Sequence, residues 1–163
     1  MRGLRERVLE TLRDGRVQEL EELVKGDPRV IRYLLAATFR PQPGIRAAAG
    51  RGLALAARHH PALMKEVVRR LVWGMNEESG TNAMTAPDTL YAVAEEAPDV
   101  LLPVMGDLMR LTADPALRDR LIEVARRVAS CRPAAAERLE ASLRDRLRGE
   151  DNERRHFRSA PGR

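Results

Sequence analysis

The sequence predicts an all-α protein, an α-solenoid of about four stacked helical hairpins. Two observations carry this expectation. Four prolines recur in matched settings, Asp27-Pro28, His60-Pro61, Ala97-Pro98 and Arg132-Pro133, separated by 33, 37 and 35 residues. Each stands between two helical apolar patterns, and proline in the first turn of a helix loses no hydrogen bond that the helix needs. Aromatic residues make up only 3 % of the chain, so the apolar supply is Ala, Leu and Val, which suits closely packed helices better than sheets.

The helices follow in order. Residues 3–14 read as a helix stopped by Gly15, followed by helices 16–25 and 28–39. Pro41, Pro43 and Gly44 make a break. In 44–58, Ile45, Ala48, Ala49, Gly52, Leu53 and Ala56 form one helical stripe whose small members permit close approach of a neighbour. Met64, Val67, Val68, Leu71 and Met75 form the stripe of 61–75. Thr85-Ala86-Pro87-Asp88 reads as the start of a helix over 87–97. Helix 98–112 carries Pro103, which predicts a kink. Leu117, Leu121, Val124, Ala125 and Val128 mark helix 116–130. In 134–148 the stripe thins to Ala136, Leu139, Leu143 and Leu147, as a capping repeat requires. The repeat domain is therefore placed at 1–149, with 150–163 as a flexible charged tail.

Charge is uneven. Residues 1–75 hold 15 basic and 8 acidic residues, residues 76–115 hold 1 and 8, and residues 116–163 hold 13 and 8. An acidic middle between basic ends is unlike a continuous stripe tracking a phosphate backbone. No apolar run approaches the roughly 18 residues of a membrane span. The charged opening Met1-Arg2-Gly3-Leu4-Arg5-Glu6-Arg7 has no signal-peptide core. With the single Cys131, this fits a reducing cytoplasm.

Residues 76–86 read as the one long connection inside the array, and long connections in compact repeats often carry function. Trp73, the only tryptophan, stands just before them, on the polar side of its helix with Lys65, Glu66 and Arg69. It serves either as a plug under the loop or as a surface anchor for a partner. The segment Trp73-x-x-Asn76-Glu77-Glu78-Ser79-Gly80, followed by Ala86-Pro87-Asp88, resembles the signature of small bacterial HEAT-repeat proteins related to the phycobilisome-lyase-type repeats. In that family a tryptophan-ended helix leads into an Asn-acid-Glu-Ser-Gly loop, and an Ala-Pro-acid step opens the next helix. The resemblance covers nearly all of 1–149 and implies a HEAT-like superhelix. The lyase label reflects repeat similarity and implies no activity. Ala83-Met84-Thr85 depart from the glycine and aromatic usual there, so no second aromatic contact is implied.

Other chemistry is weakly signalled. His59-His60 are adjacent on a helix and point about 100° apart, which suits capping rather than chelation. Cys131 reads as a structural thiol. Glu77 and Glu78 have no histidine or cysteine near in sequence to complete a nucleophilic site. The expectation is a non-catalytic interaction module without cofactor or metal. It would bind a protein or peptide through its repeat surface and a patch of Arg69, Trp73, Asn76, Glu77, Glu78, Ser79 and Gly80. The second helices of the hairpins would present Arg29, Arg32, Arg69, Asp107 and Arg110 to that partner. The alternative is a nucleic-acid-binding HEAT-repeat protein using the arginines of 28–39 and 61–75. The charge pattern predicts weak binding to random duplex DNA, lost at physiological salt. Sub-micromolar binding at about 150 mM salt, in a fluorescence-anisotropy titration, would favour the alternative.

Overall fold

In the computed structural model, residues 3–77 and 81–158 are described, with the side chains of 81–84, 143, 146, 147 and 150–158 outside the description. Among the described residues there is no strand, and no helix is long and apolar enough to cross a membrane. These residues form nine α-helices: α1 (Leu4–Asp14), α2 (Val17–Gly26), α3 (Val30–Ala37), α4 (Pro43–His59), α5 (Pro61–Glu77), α6 (Thr81–Glu96), α7 (Met105–Leu111), α8 (Pro115–Cys131) and α9 (Pro133–Arg158). Two 3₁₀ turns, Pro98–Val100 and Leu102–Val104, stand before α7.

Local chemistry sets most boundaries. Gly15 ends α1 at φ 65°, a left-handed conformation glycine adopts without penalty. Asp114 caps α8 by accepting from the Ala116 N–H at 2.9 Å, with Pro115 in the first turn. Pro61 and Pro133 open α5 and α9, Pro98 opens the first 3₁₀ turn, and Pro28 stands two residues before α3. All four recurring prolines therefore stand at or just before the start of a helix or 3₁₀ turn.

Helices α2, α4, α6 and α8 pack in succession, while α5 bridges α4 and α6, and α7 touches α5 and α8. Helix α4 is the hub and touches α1, α2, α3, α5 and α6. Its stripe is wider than the sequence suggests: Gly50, Ala54, Leu55 and Ala57 are buried along with Ala48, Ala49, Gly52, Leu53 and Ala56. A side chain could not be added freely at Gly52, where a Cβ would lie 2.9 Å from Leu34 Cδ2 and 3.2 Å from Leu20 Cδ2. The core continues through Met64, Val68 and Leu71 of α5, Leu90, Val93 and Ala94 of α6, and Leu121, Val124 and Val128 of α8.

Three expectations are corrected. Residues 76–86 do not form a long loop, because α5 extends through Glu77 and α6 begins at Thr81. Pro87 does not open α6 but sits inside it. A proline there removes the bond to the carbonyl four residues back and costs about 3 kcal/mol. Burial of Ala86, Leu90, Val93 and Ala94 on the same helix offsets that cost. Pro103 does more than kink a helix, since 98–104 are two 3₁₀ turns and the α-helix starts only at Met105. The described backbone of α9 is helical to Arg158, and 159–163 lie outside the described residues.

Two glycines in helix interiors should respond oppositely to substitution. Gly52→Val drives methyl groups into Leu34 and Leu20 and should destabilise by about 1–3 kcal/mol. Gly74 of α5 has open space where a Cβ would stand. Gly74→Ala should therefore stabilise by about 0.5–1 kcal/mol. Urea unfolding followed by circular dichroism measures both, and equal effects of the same sign would contradict the packing described for α4.

Candidate functional site

Helix α5 divides its residues by face. Met64, Val68, Leu71, Val72 and Met75 are buried. Glu66, Arg69, Arg70, Trp73 and Asn76 occupy an arc of about 120° on the other side, at 100° per residue. Across from them stands α7, which buries Met105, Leu108 and Met109. It turns Asp107, Arg110 and Leu111 outward, beside Val104 of the preceding 3₁₀ turn. Between the two helices lies a groove of about 800 Å³ with these residues as its walls and Val72 at its base. That volume falls in the ordinary range of binding clefts.

Trp73 is 63 % exposed on the groove wall. It is not a buried plug. The arginine–aromatic stacks among the described residues are Arg32 on Tyr33 and Arg120 on Tyr91, and neither involves Trp73. Arg69 pairs with Glu66 one turn back on α5. Arg110 pairs with Asp107 along α7. Arg70 is exposed and has no ion pair among the described residues.

The predicted patch is thus brought together in part. Arg69, Trp73 and Asn76 line the groove. Glu77 is exposed at the end of α5 but is not among the lining residues. Glu78, Ser79 and Gly80 lie outside the described residues. Of the surface residues expected on the second helices, Asp107 and Arg110 join the groove. Arg29 instead pairs with Asp27, at 2.7 Å, and Arg32 stacks on Tyr33. Glu66, Arg70, Val72, Val104 and Leu111 line the groove from outside the predicted patch. Arg70 shares the Trp73 arc and was legible by period, whereas Val104 and Leu111 reach the groove only through packing of α7 on α5.

His59 and His60 have structural partners. His60 Nε2 donates to the Val24 carbonyl at 2.7 Å, and His59 Nε2 lies 3.0 Å from Glu21 Oε1. Glu21 also accepts from Arg58 at 2.6 Å. The His59 and Arg58 hydrogen bonds hold its carboxyl below the usual range. No cluster of His, Cys, Asp or Glu able to hold a metal occurs among the described residues.

A second cleft, of about 500 Å³, runs over α4 and α6 and includes Arg46, Arg51, Asp88, Tyr91 and Arg120. Two of its cations are tied inward. Arg46 donates to the carbonyls of Arg40 and Pro41 at 2.9 and 2.7 Å, and Arg120 donates to Asp88 at 2.7 Å while stacking on Tyr91.

The approach to α7 is clamped from the far end of α8. Arg132 donates from Nε and Nη2 to the two carboxylate oxygens of Asp99 at 2.5 and 2.6 Å. This forked contact is the geometry a guanidinium favours. The Arg132 hydrogen bond holds the Asp99 carboxyl below its ordinary value.

That shift fixes a pH dependence. The folded state holds the Asp99 proton less tightly than the unfolded chain does. Its contribution is whole above the ordinary aspartate pKa of about 4. It is lost as pH falls through the lower folded value. Asp99→Asn should lower stability near neutral pH and flatten the acid side of the stability curve, as read by urea unfolding from neutral pH downward. An unchanged acid limb would show that the clamp contributes nothing in solution.

Comparison with protein-family models, with curated proteins and with solved structures found no match.

Proposed function

We propose that this chain is a non-catalytic interaction module, a short solenoid of HEAT type that holds a protein or peptide partner in the groove between α5 and α7. Support for the solenoid is the succession of α2, α4, α6 and α8, together with the four prolines that stand at or just before the outer elements. Support for the groove is one observation above the others: the chain's only tryptophan stands 63 % exposed on its wall. Tryptophan is the residue most enriched at binding hot spots, because a large rigid surface is desolvated at small entropic cost. A folded chain that leaves its one indole in water forgoes that burial in the free state, and a partner can recover it.

The bacterial HEAT-repeat resemblance points to the same place, since its distinctive residues begin at Trp73. The resembling segment continues to Asn76, which lines the groove, and to Glu77, the last residue of α5. Binding of a phosphate backbone is disfavoured here by Glu66 and Asp107, which stand in the groove among its arginines.

Recovery of partner from the native cell on the immobilised protein tests the reading, with bound material identified by mass spectrometry. Trp73→Ala should weaken capture by about 2 kcal/mol, on the scale of a hot-spot truncation. It should shift folding stability by no more than about 0.5 kcal/mol, as for an exposed side chain. Glu77→Gln should also reduce capture, with little change in melting temperature. Loss of stability with capture unchanged would return Trp73 and Glu77 to a bracing role.

A further inference from the structure

We infer that the groove between α5 and α7 takes a short acidic peptide segment, with a carboxylate on Arg70 and an aliphatic side chain against Trp73 and the apolar base. The inference rests on the proposed binding role of this groove and names the chemistry of its occupant.

Charge carries the first part. The groove holds Arg69, Arg70 and Arg110 against Glu66 and Asp107, an excess of one positive charge. Both acids are engaged along their own helices, Glu66 by Arg69 and Asp107 by Arg110. Arg70 stands exposed in the same groove with no ion pair among the described residues. Its planar guanidinium offers a paired set of donors that matches a carboxylate. The neighbouring pairs lie at the surface, where such contacts are weak and exchange readily with an incoming acid.

Apolar surface carries the second part. Val72 and Val104 form the base, the half-buried Leu111 flanks it, and the open indole of Trp73 rises beside it. This combination fits spaced carboxylates with an aliphatic residue between them. A nucleic-acid strand fits poorly, because its continuous phosphates would meet Glu66 and Asp107, and it brings no aliphatic group to the base.

The only tryptophan stands in the groove, so its emission reports occupancy directly. The full chain would be titrated with a peptide of about ten residues, two leucines set among glutamates and free of aromatics. A second peptide replaces every glutamate with glutamine, and a third probe is single-stranded oligothymidylate. The glutamate peptide should shift Trp73 emission saturably and bind at least about tenfold more tightly than the glutamine peptide, with the gap closing as salt rises. Arg70→Gln should remove most of that preference and Arg70→Lys should restore part of it, both with the melting temperature of the parent.

Equal binding of the two peptides, or no effect of Arg70→Gln, would overturn the acidic assignment while leaving a peptide groove in place. Tighter binding of oligothymidylate than of the glutamate peptide would overturn it in favour of nucleic acid. No movement of Trp73 emission with any peptide would also overturn it. In that case the Trp73→Ala capture experiment separately decides whether the groove binds a partner at all.

Discussion

The close approach of α4 to its neighbours at Gly52 sets the spacing of the whole array. Leu34 of α3 and Leu20 of α2 occupy the space where a side chain at that position would stand. On another side, Gly50 faces Thr89 of α6, close enough that a Cβ would sit 3.9 Å from its backbone. Alanines supply much of the rest of the buried surface of α4. A helix built this way gains little from its own side chains and much from the large residues of its neighbours, which reach its backbone. The orientation of α5 follows from it. His60 ends α4 and bonds back to the Val24 carbonyl, and α5 starts at the next residue. The face of α5 that α4 and α6 cover is thereby chosen, and so is the face left to line the groove.

The uneven charge of the sequence acquires a structural sense at the same contacts. Carboxylates from the acidic middle meet arginines from the basic ends: Glu96 meets Arg58 at 3.3 Å, Asp88 meets Arg120 at 2.7 Å and Asp99 meets Arg132 at 2.5 Å. Each joins residues more than thirty positions apart. Exposed pairs of this kind add little stability singly. They do favour this pairing of neighbours, because opposite charges meet across each contact. Part of the basic surplus is thus consumed within the fold rather than displayed to a partner.

What could be read in the sequence was whatever depends on one helix at a time. The stripe of Leu117, Leu121, Val124, Ala125 and Val128 is buried throughout. Gly15 stops α1 as its neighbours suggest. Trp73 was placed on the polar side of its helix, and it is exposed there. Reading failed where tertiary burial overrode a local signal. Pro87 looks like a first-turn proline, yet α6 runs through it because residues on the same helix are packed on α4 and α8. Glycine, serine and amide residues after Trp73 look like a long loop, yet only 78–80 separate the two described helices. The groove could not be read, since its second wall belongs to residues more than thirty positions from Trp73, and no period connects them.

The two 3₁₀ turns give the groove its dimensions. Seventeen residues of α5 extend about 25 Å, while the seven of α7 extend about 10 Å. About 10 Å of that difference is residues 98–104, which stand as two 3₁₀ turns, each holding a proline, instead of α-helix. A full-length neighbour would have continued along the outer arc of α5. The shortened one leaves a berth whose length is set by backbone chemistry, apart from the side chains that furnish it. Drift at the two prolines would therefore resize the berth, and drift at Arg70, Trp73 or Leu111 would change its taste. On the proposed binding role, two separate dials of this kind would let a small helical array change occupants without rebuilding its core.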